Sequence, residues 1–408
     1  MDDSGSAAQS RAPLALHGVR VLDLTHQVAG PSATLALAVL GADVVKVVAP
    51  GDRSSHDVLP FYFNNASKRS IVVDLKSEEG LELVLQMAQR ADVFAENFGP
   101  GVIERLGLGY SALHELNPRL VYAQIKGFAR NSPYEHFPCW DPIAQAMSGA
   151  SSVTGEPDGL PMKPGPDVGD TGTGMMAALG IIAALYQRVS TGEGQHVEVS
   201  MADNVAAALR IQYGYPVGQN LPTPRFGNGP PFTFPTSPSG LFECAPFGPN
   251  DYVHIHCGNE RQWQALLSAI GRTDLSDYEP YQGAETRGRH KEEIDAIVAA
   301  WTRQRTKLEA MRELGSAGVP AGAVRTTLEL LHDDDLYDRG IFVQVPHPEL
   351  GTATIPGWPV QMSASPARVT APPQPGQNAT EVISDWLGTS PDAAQDQAAA
   401  AAGGLRLG

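Results

Sequence analysis

Cysteine is scarce in this sequence. Three occur in 408 residues, Cys139, Cys244 and Cys257, and no two stand at the short spacing of a zinc knuckle or a redox dithiol. They give no metal ligand set, and a reducing compartment fits. Basic residues are also in deficit, 29 Lys and Arg against 45 Asp and Glu. That balance argues against a nucleic-acid partner, because a phosphate backbone demands a basic face. It favours solubility instead, and any anionic ligand would have to be met locally by a few cations and helix N-termini. No charge-free apolar run reaches the roughly eighteen residues of a membrane span, and the polar stretch 1–13 lacks the apolar centre of a signal peptide. A cytoplasmic protein without a membrane partner is expected. The turn Thr25–Ser32 is not a GxGxxG loop, so a nicotinamide or flavin enzyme loses ground. No fixed-period repeat is present, which disfavours a solenoid.

What is there is an ordinary globular composition, 42% apolar and 18% charged, in a chain long enough for one large core or two unequal domains. Apolar runs at Val19–Leu24, Asp43–Val48, Ile71–Leu75, Val93–Asn97 and Leu120–Lys126 read as strands. Helical patterns alternate with them at Pro31–Leu40, Ser77–Gln89 and from Pro100 onward. Such alternation implies an α/β fold around a parallel sheet, with ligands at the carboxyl ends of the strands. The loops after Leu24, Val48 and Asn97 are the places to look. A proline-free stretch, Thr171–Arg188, predicts a long buried helix, followed by a strand at Gln195–Ser200. Residues 214–240, rich in Pro, Gly and Asn, read as a linker between a large domain (1–213) and a small α/β domain (241–330). Residues 331–389 carry further strand signals near Phe342–Val360, and the alanine-rich tail 390–408 is expected to be frayed or disordered.

The chemistry centres on Gly169-Asp170-Thr171-Gly172-Thr173-Gly174, just before the long helix. Taken alone, an aspartate there is most simply an N-cap. The glycines point further, since glycine in a first helical turn is costly unless backbone must approach something closely. Exposed N–H groups there suit an oxyanion. A carboxylate is already ionised at neutral pH and attacks a thioester without a general base, giving a mixed anhydride that a thiolate reopens. The helix N-terminus favours the ionised form. Asp167, three residues earlier, competes by residue type, but PGPDVG suits a turn.

Six ordered blocks carry a family resemblance: GVRVLDLTHQVAGP at 18–31, LGADVVKVVAPGD at 40–52, NNASKRSIVVDLKSEEG at 64–80, DVFAENFGPGVIERLGLGY at 92–110, LNPRLVYAQIKGF at 116–128, and GDTGTGMMAALGIIAALYQRVSTGEGQHVEVSMAD at 169–203. Together they resemble the class III CoA-transferases, a family with a divergent racemase branch. The resemblance implies a large Rossmann-like parallel-sheet domain built from the N- and C-terminal segments, with residues 331–389 returning to it. It also implies a smaller α/β domain and an interlocked dimer. Asp170 then stands where the family's nucleophile stands, passing through an aspartyl anhydride and an aspartyl-CoA thioester. Coenzyme A contacts carried across by position are His26, Val28, Ala29, Val73, Asp74, Leu75, Lys76, Asn97, Phe98, Gly99 and Arg105, and Trp140 and Asp141 would line the acyl pocket. The implied partners are an acyl-CoA, a carboxylic acid and a second copy of the chain, or a related subunit.

Three departures stand out. Formyl-CoA-using members have a glutamine where Val28 stands, although Gln27 is adjacent. Ala49 and Pro138 replace basic residues, leaving Arg53, Lys68 or Arg69 to meet phosphates. The segment 227–240, GNGPPFTFPTSPSG, lacks the family's run of glycines, and its Phe232 and Phe234 suggest a bulkier acid than oxalate. The racemase branch sets a histidine where Trp140 stands, and an indole exchanges no proton near neutral pH. Racemisation, with His136 as the nearby imidazole, is the alternative activity. A non-catalytic subunit of a two-chain transferase is the other.

Overall fold

A computed structural model describes residues 13–229 and 236–403. Phe232 and Phe234 lie outside the described residues. Two compact units divide the chain. The larger draws on Met1–Ala150, Lys163–Arg210 and Asp335–Gly408, the smaller on Ser151–Met162 and Ile211–Asp334. The chain therefore leaves the larger unit twice, not once. The stretch 214–240, expected as a linker, falls within the smaller unit and includes a helical turn at Gly214–Gln219 and the start of a strand at Ser239.

The larger unit is built on six parallel strands, β1 (Arg20–Asp23), β2 (Asp43–Val48), β3 (Arg69–Val72), β4 (Val93–Glu96), β5 (Val121–Lys126) and β6 (His196–Ser200). Their order is β3-β2-β1-β4-β5-β6. This is the doubly wound arrangement, in which successive strands run outward from β1 and then reverse at β4. Connections on either side of β1 and β4 pass over opposite faces, so a crevice opens between the carboxyl ends of these two strands. Almost every side chain of β1, β2, β4 and β5 is buried, as a sheet covered on both faces requires. A separate two-stranded antiparallel hairpin, Phe342–His347 with Gly351–Pro356, accounts for the alternating pattern read near the C-terminus.

Helices fall close to where the sequence pattern puts them, and local chemistry sets their starts. Ser77 caps Glu78–Ala88 by accepting the Gly80 N–H, and Ser200 caps Met201–Ala208 through the Asp203 N–H. The long helix runs Asp170–Thr191 and ends on Gly192 in the left-handed region.

The tail corrects an expectation. Residues Pro391–Ala401 form a helix, with Ser390 accepting the Ala393 N–H and proline at the first turn. Ala394, Ala398 and Ala401 are buried in the same core as Ile71, Leu83, Val382 and Trp386, and the Ala401 carbonyl accepts the Asp74 N–H at 2.8 Å. Alanine is the strongest helix former, and its small side chain lets the helix lie close on its neighbours. A compositionally simple run thus becomes core. Residues 404–408 lie outside the described part.

The smaller unit has an antiparallel sheet of Ser239–Glu243, Tyr252–His256 and Ala321–Ala323. Its helices close a separate core around Trp263, Leu266, Ile294, Val298 and Leu314.

Behind β1 lies a buried polar knot. Asp23 accepts hydrogen bonds from the Thr25 N–H and hydroxyl, from Thr34 at 2.7 Å and from Lys68 at 3.0 Å. The Lys46 ammonium stands 3.7 Å away and also bonds the Thr25 carbonyl. The two ammonium groups hold the Asp23 carboxyl far below the usual carboxylate range despite its burial. Lys68, in turn, is pushed down to about 8 by burial. This knot fixes the loop that carries His26. It also removes Lys68 as a phosphate contact, because the ammonium is spent on Asp23, Thr34, Asn65 and the Pro31 carbonyl. Arg69 is likewise engaged, by Asp43, Glu381 and Asp385.

Candidate active site

The crevice at the strand-order reversal holds a cavity of about 320 Å³. The loop after β1 supplies His26, Gln27 and Ala29, and the loop after β4 supplies Asn97, Phe98 and Gly99. Asn97 ties the two loops together: its Oδ1 accepts the His26 N–H at 2.7 Å and its Nδ2 donates to the His26 carbonyl at 2.9 Å. The His26 ring packs edge-on against Phe98, with centroids 4.8 Å apart. Burial and the nearby Lys46 pull the His26 imidazole down to about 4, so it stands neutral at physiological pH.

Asp170 reaches the same cavity from the first position of the long helix. Its N-terminus is capped from outside by Asp141. Asp141 Oδ1 accepts the Gly169 N–H at 2.8 Å and the Asp170 N–H at 3.2 Å. The other oxygen accepts from Gln145 at 2.6 Å and faces Lys163 at 3.5 Å. The Thr171 N–H is taken by the Asp167 carbonyl at 2.8 Å. The first three amides are thus committed within the protein, contrary to the expectation of free oxyanion donors there. Burial and the charges of Asp141 and Asp167 push the Asp170 carboxyl up to about 6, against the pull of Lys163. The expectation that the helix N-terminus favours the ionised form is offset here by desolvation and two neighbouring carboxylates. Asp170 is still mostly ionised at neutral pH, and more basic than an ordinary carboxylate.

The glycines beside Asp170 serve packing. A Cβ on Gly174 would come within 2.5 Å of the Ala29 carbonyl oxygen and 2.7 Å of Ser32 Cβ, so glycine lets the long helix lie directly on the helix Ala29–Val39. A Cβ on Gly169 would meet Asp141 Oδ1 at 2.8 Å and disturb the cap.

Of the residues nominated from sequence, the cavity brings together His26, Ala29, Asn97, Phe98, Gly99, Trp140 and Asp170. It leaves out the others. Val28 is half-buried beside it, while its neighbour Gln27, held at φ 64°, lines the cavity in its place. Val73 is core, and Leu75 packs against the same core, since β3 ends with its apolar side chains turned to the covering helices. Asp74 and the exposed Lys76 belong to the turn after β3, where Asp74 Oδ1 accepts the Lys76 N–H. Arg105 is exposed at the end of the turn Val102–Arg105. Asp141, expected to line the acyl pocket, is buried under the Asp170 helix as its cap. His136 is exposed and does not line the cavity.

Sequence reading missed Lys126, Glu135, Phe137, Cys139 and Met201, all of which line the cavity. Lys126 and Met201 stand at or just after the carboxyl ends of β5 and β6. The strand-end rule that pointed to His26 and Asn97 would have found them had it been extended to every strand. Lys126 is bound to the buried Glu96 at 2.9 Å and donates to the Phe98 carbonyl at 2.6 Å. Among the described residues no group of three or more His, Cys, Asp and Glu side chains is placed to hold a metal ion, and no helix is long and apolar enough to cross a membrane.

The chain matches relatives along nearly all its length. It is 40% identical to the formyl-CoA:oxalate CoA-transferase of Streptomyces avermitilis over 395 residues, covering 92% of this chain and 96% of that one. Identity to the Rhodopseudomonas palustris (strain BisB18) protein of the same name is 37% over 402 residues, covering 92% and 94%. A CaiB/BaiF family protein from Brucella suis superposes with a TM-score of 0.82 at 28% identity, over 92% of this chain and all of that one. A hypothetical protein from Mycobacterium tuberculosis superposes with 0.78 at 29%, over 92% and 100%. The model for "CoA-transferase family III" matches residues 16–379, a span that covers the smaller unit, most of the larger one and every residue of the cavity. On fold, extent of match and relatives alike, the chain belongs to CoA-transferase family III and is a class III CoA-transferase.

Proposed function

We propose that Asp170 is the covalent nucleophile of this transferase and that CoA moves from an acyl-CoA donor to a carboxylic acid by way of it. An Asp170 oxygen attacks the thioester carbonyl and the C–S bond breaks, leaving a mixed anhydride and CoA thiolate. The thiolate attacks the Asp170 carbonyl of the anhydride, which releases the donor acid and leaves aspartyl-CoA. The acceptor carboxylate attacks that thioester, expelling thiolate and forming a second anhydride. Thiolate attack on the acceptor's acyl carbon then yields the new acyl-CoA and restores Asp170. No proton is gained or lost overall, so no general acid or base is required.

The observation that carries this reading is the Asp170 carboxylate lining the crevice, raised to about 6 yet ionised at neutral pH. A raised pKa improves the nucleophile, and His26, Asn97 and Phe98 stand across the same cavity where a thioester arm would lie. Trp140 lines the cavity where the racemase branch has its histidine. The test is CoA exchange between acyl-CoAs and free acids in deuterated water. Exchange by the wild type, none by Asp170→Ala, and no deuterium at the α-carbon are expected. Full activity of Asp170→Ala, or deuterium uptake without an acceptor acid, would overturn it.

Self-association is part of the same reading. On the long helix Met176, Leu179, Tyr186 and Val189 fall on one exposed apolar face, the last two 82% and 85% exposed. Such a stripe suits burial against another chain. That the two copies interlock is implied by family resemblance alone. A dimeric mass in solution, lost in Leu179→Glu/Tyr186→Glu, is the expected result.

A further inference from the structure

Resting on that reading of Asp170, we propose that the acid handled at this cavity is a monocarboxylic acid with an aryl or similarly apolar body, not a dicarboxylic acid of the oxalate kind. Two independent features lead there. The first is the charge inventory of the cavity. A second carboxylate on the substrate needs a cation or a set of free donors once it leaves water. Among the described residues that line the cavity, the cation is Lys126, and it is already bound to Glu96 and the Phe98 carbonyl. His26 is a single neutral imidazole packed edge-on against Phe98, and Asn97 ties down only its backbone. Glu135 adds a further carboxylate to the lining, beside Asp170 itself. The substrate's reacting carboxyl loses its charge on forming the anhydride with Asp170. A second, unreacted one would stay charged in a lining whose remaining carboxylate is Glu135 and whose cation, Lys126, is already paired with Glu96.

The second feature is the apolar wall. Phe137 and Trp140 are 59% and 57% exposed although large and apolar. Phe137 is held edge-on by Tyr134, with centroids 5.7 Å apart, and Tyr134 in turn by Phe128 at 5.7 Å. Phe128, Tyr134 and Phe137 thus hold one another, and Phe128, Phe137 and Trp140 line the cavity. A preformed aromatic wall matches a flat apolar group, which it binds by offset or edge contact and by burial of area. The volume of about 320 Å³ has room for the end of a thioester arm and a ring-sized acyl group together.

The test charges the wild-type enzyme with acetyl-CoA, isovaleryl-CoA or phenylacetyl-CoA and detects CoA on Asp170 by peptide mass. The charged enzyme is then offered phenylacetate, benzoate, isovalerate, oxalate or succinate, and acyl-CoA formation is followed. An aryl acid is expected to discharge the thioester with kcat/KM at least about tenfold above that of either dicarboxylate, since a buried polar group left without a partner costs a factor of that order or more. Trp140→Ala and Phe137→Ala should lower the aryl acid's kcat/KM about tenfold. Neither replacement opens the core, because both side chains are exposed. Phe137→Arg, by adding the missing cation, should raise discharge by succinate or oxalate. Oxalate or succinate matching the aryl acids in the wild type would overturn the inference while leaving the nucleophile in place. Failure of every acyl-CoA to load Asp170 would overturn the nucleophile reading, and this one with it.

Discussion

Asp141 accepts the backbone N–H of Asp170 at 3.2 Å and that of Gly169 at 2.8 Å, so the second carboxylate of the site holds the first by its main chain. The contact acts in two ways. As a hydrogen bond it fixes where the helix begins and hence where the Asp170 side chain points. As a charge it raises the Asp170 pKa.

These two effects separate on mutation. Asp141→Asn keeps an acceptor oxygen for the amides but removes the charge. The acid limb of the kcat/KM profile is therefore expected to move below the value near 6, with a smaller loss of stability than on losing the cap, from the weakened contacts to Gln145 and Lys163. Asp141→Ala removes the cap as well and should cost ~1–2 kcal/mol, the usual scale of a lost N-cap. Urea midpoints and pH profiles of the two variants check this. An acid limb that moves upward in Asp141→Asn would contradict the account.

Asp170 itself should limit stability at neutral pH. Its folded pKa of about 6 lies above the ordinary value of 3.8, so between those values the folded state binds more protons than the unfolded one. Its contribution is then fully present below pH 3.8 and is lost as pH rises through about 6. Asp170→Asn cannot ionise. The variant should be more stable than wild type at pH 7, and the gap should close as pH falls toward 4. Urea midpoints between those pH values measure it. A variant less stable than wild type at pH 7 would refute the desolvation argument.

The knot behind β1 makes a third prediction. Asp23 neutralises two buried ammonium groups, Lys46 and Lys68. Asp23→Ala strands both and should cost ~3–5 kcal/mol or prevent folding, the penalty of breaking a buried ion pair from one side. Replacing Lys68 by Met in the same chain removes one stranded charge and should recover part of the loss. Thermal unfolding of the single and double variants compares them. A double variant no more stable than Asp23→Ala would show that burial of charge is not the cause.

Much of this protein is legible in its sequence. Runs of Val, Ile and Leu bounded by turn residues give strands, and helical periodicity between them gives the crossovers. Together these dictate a parallel α/β sheet. The strand-end rule points to the His26 and Asn97 loops, whereas residue type and helix context put Asp170 forward only as a cap and the six ordered blocks make it the candidate nucleophile. Position within a family pattern brought in Phe98, Gly99 and Trp140 as well. What failed did so for identifiable reasons. Lys68 and Arg69 look like free cations in sequence because ion partners such as Asp23 and Asp385 are remote in the chain. The alanine tail looks disordered because only a neighbouring core makes an alanine face valuable.

The sequence alone determined the alternation of elements, the acidic character of the chain and the presence of an aspartate at the start of a long helix. Tertiary structure decided what that aspartate experiences. Strand order places the loops of β1 and β4 opposite the helix, and Asp141 arrives from 29 residues away to cap it. Burial sets the charge on Asp170 and removes it from His26. Those properties depend on distance through space and on solvent exclusion, which periodicity and composition do not encode.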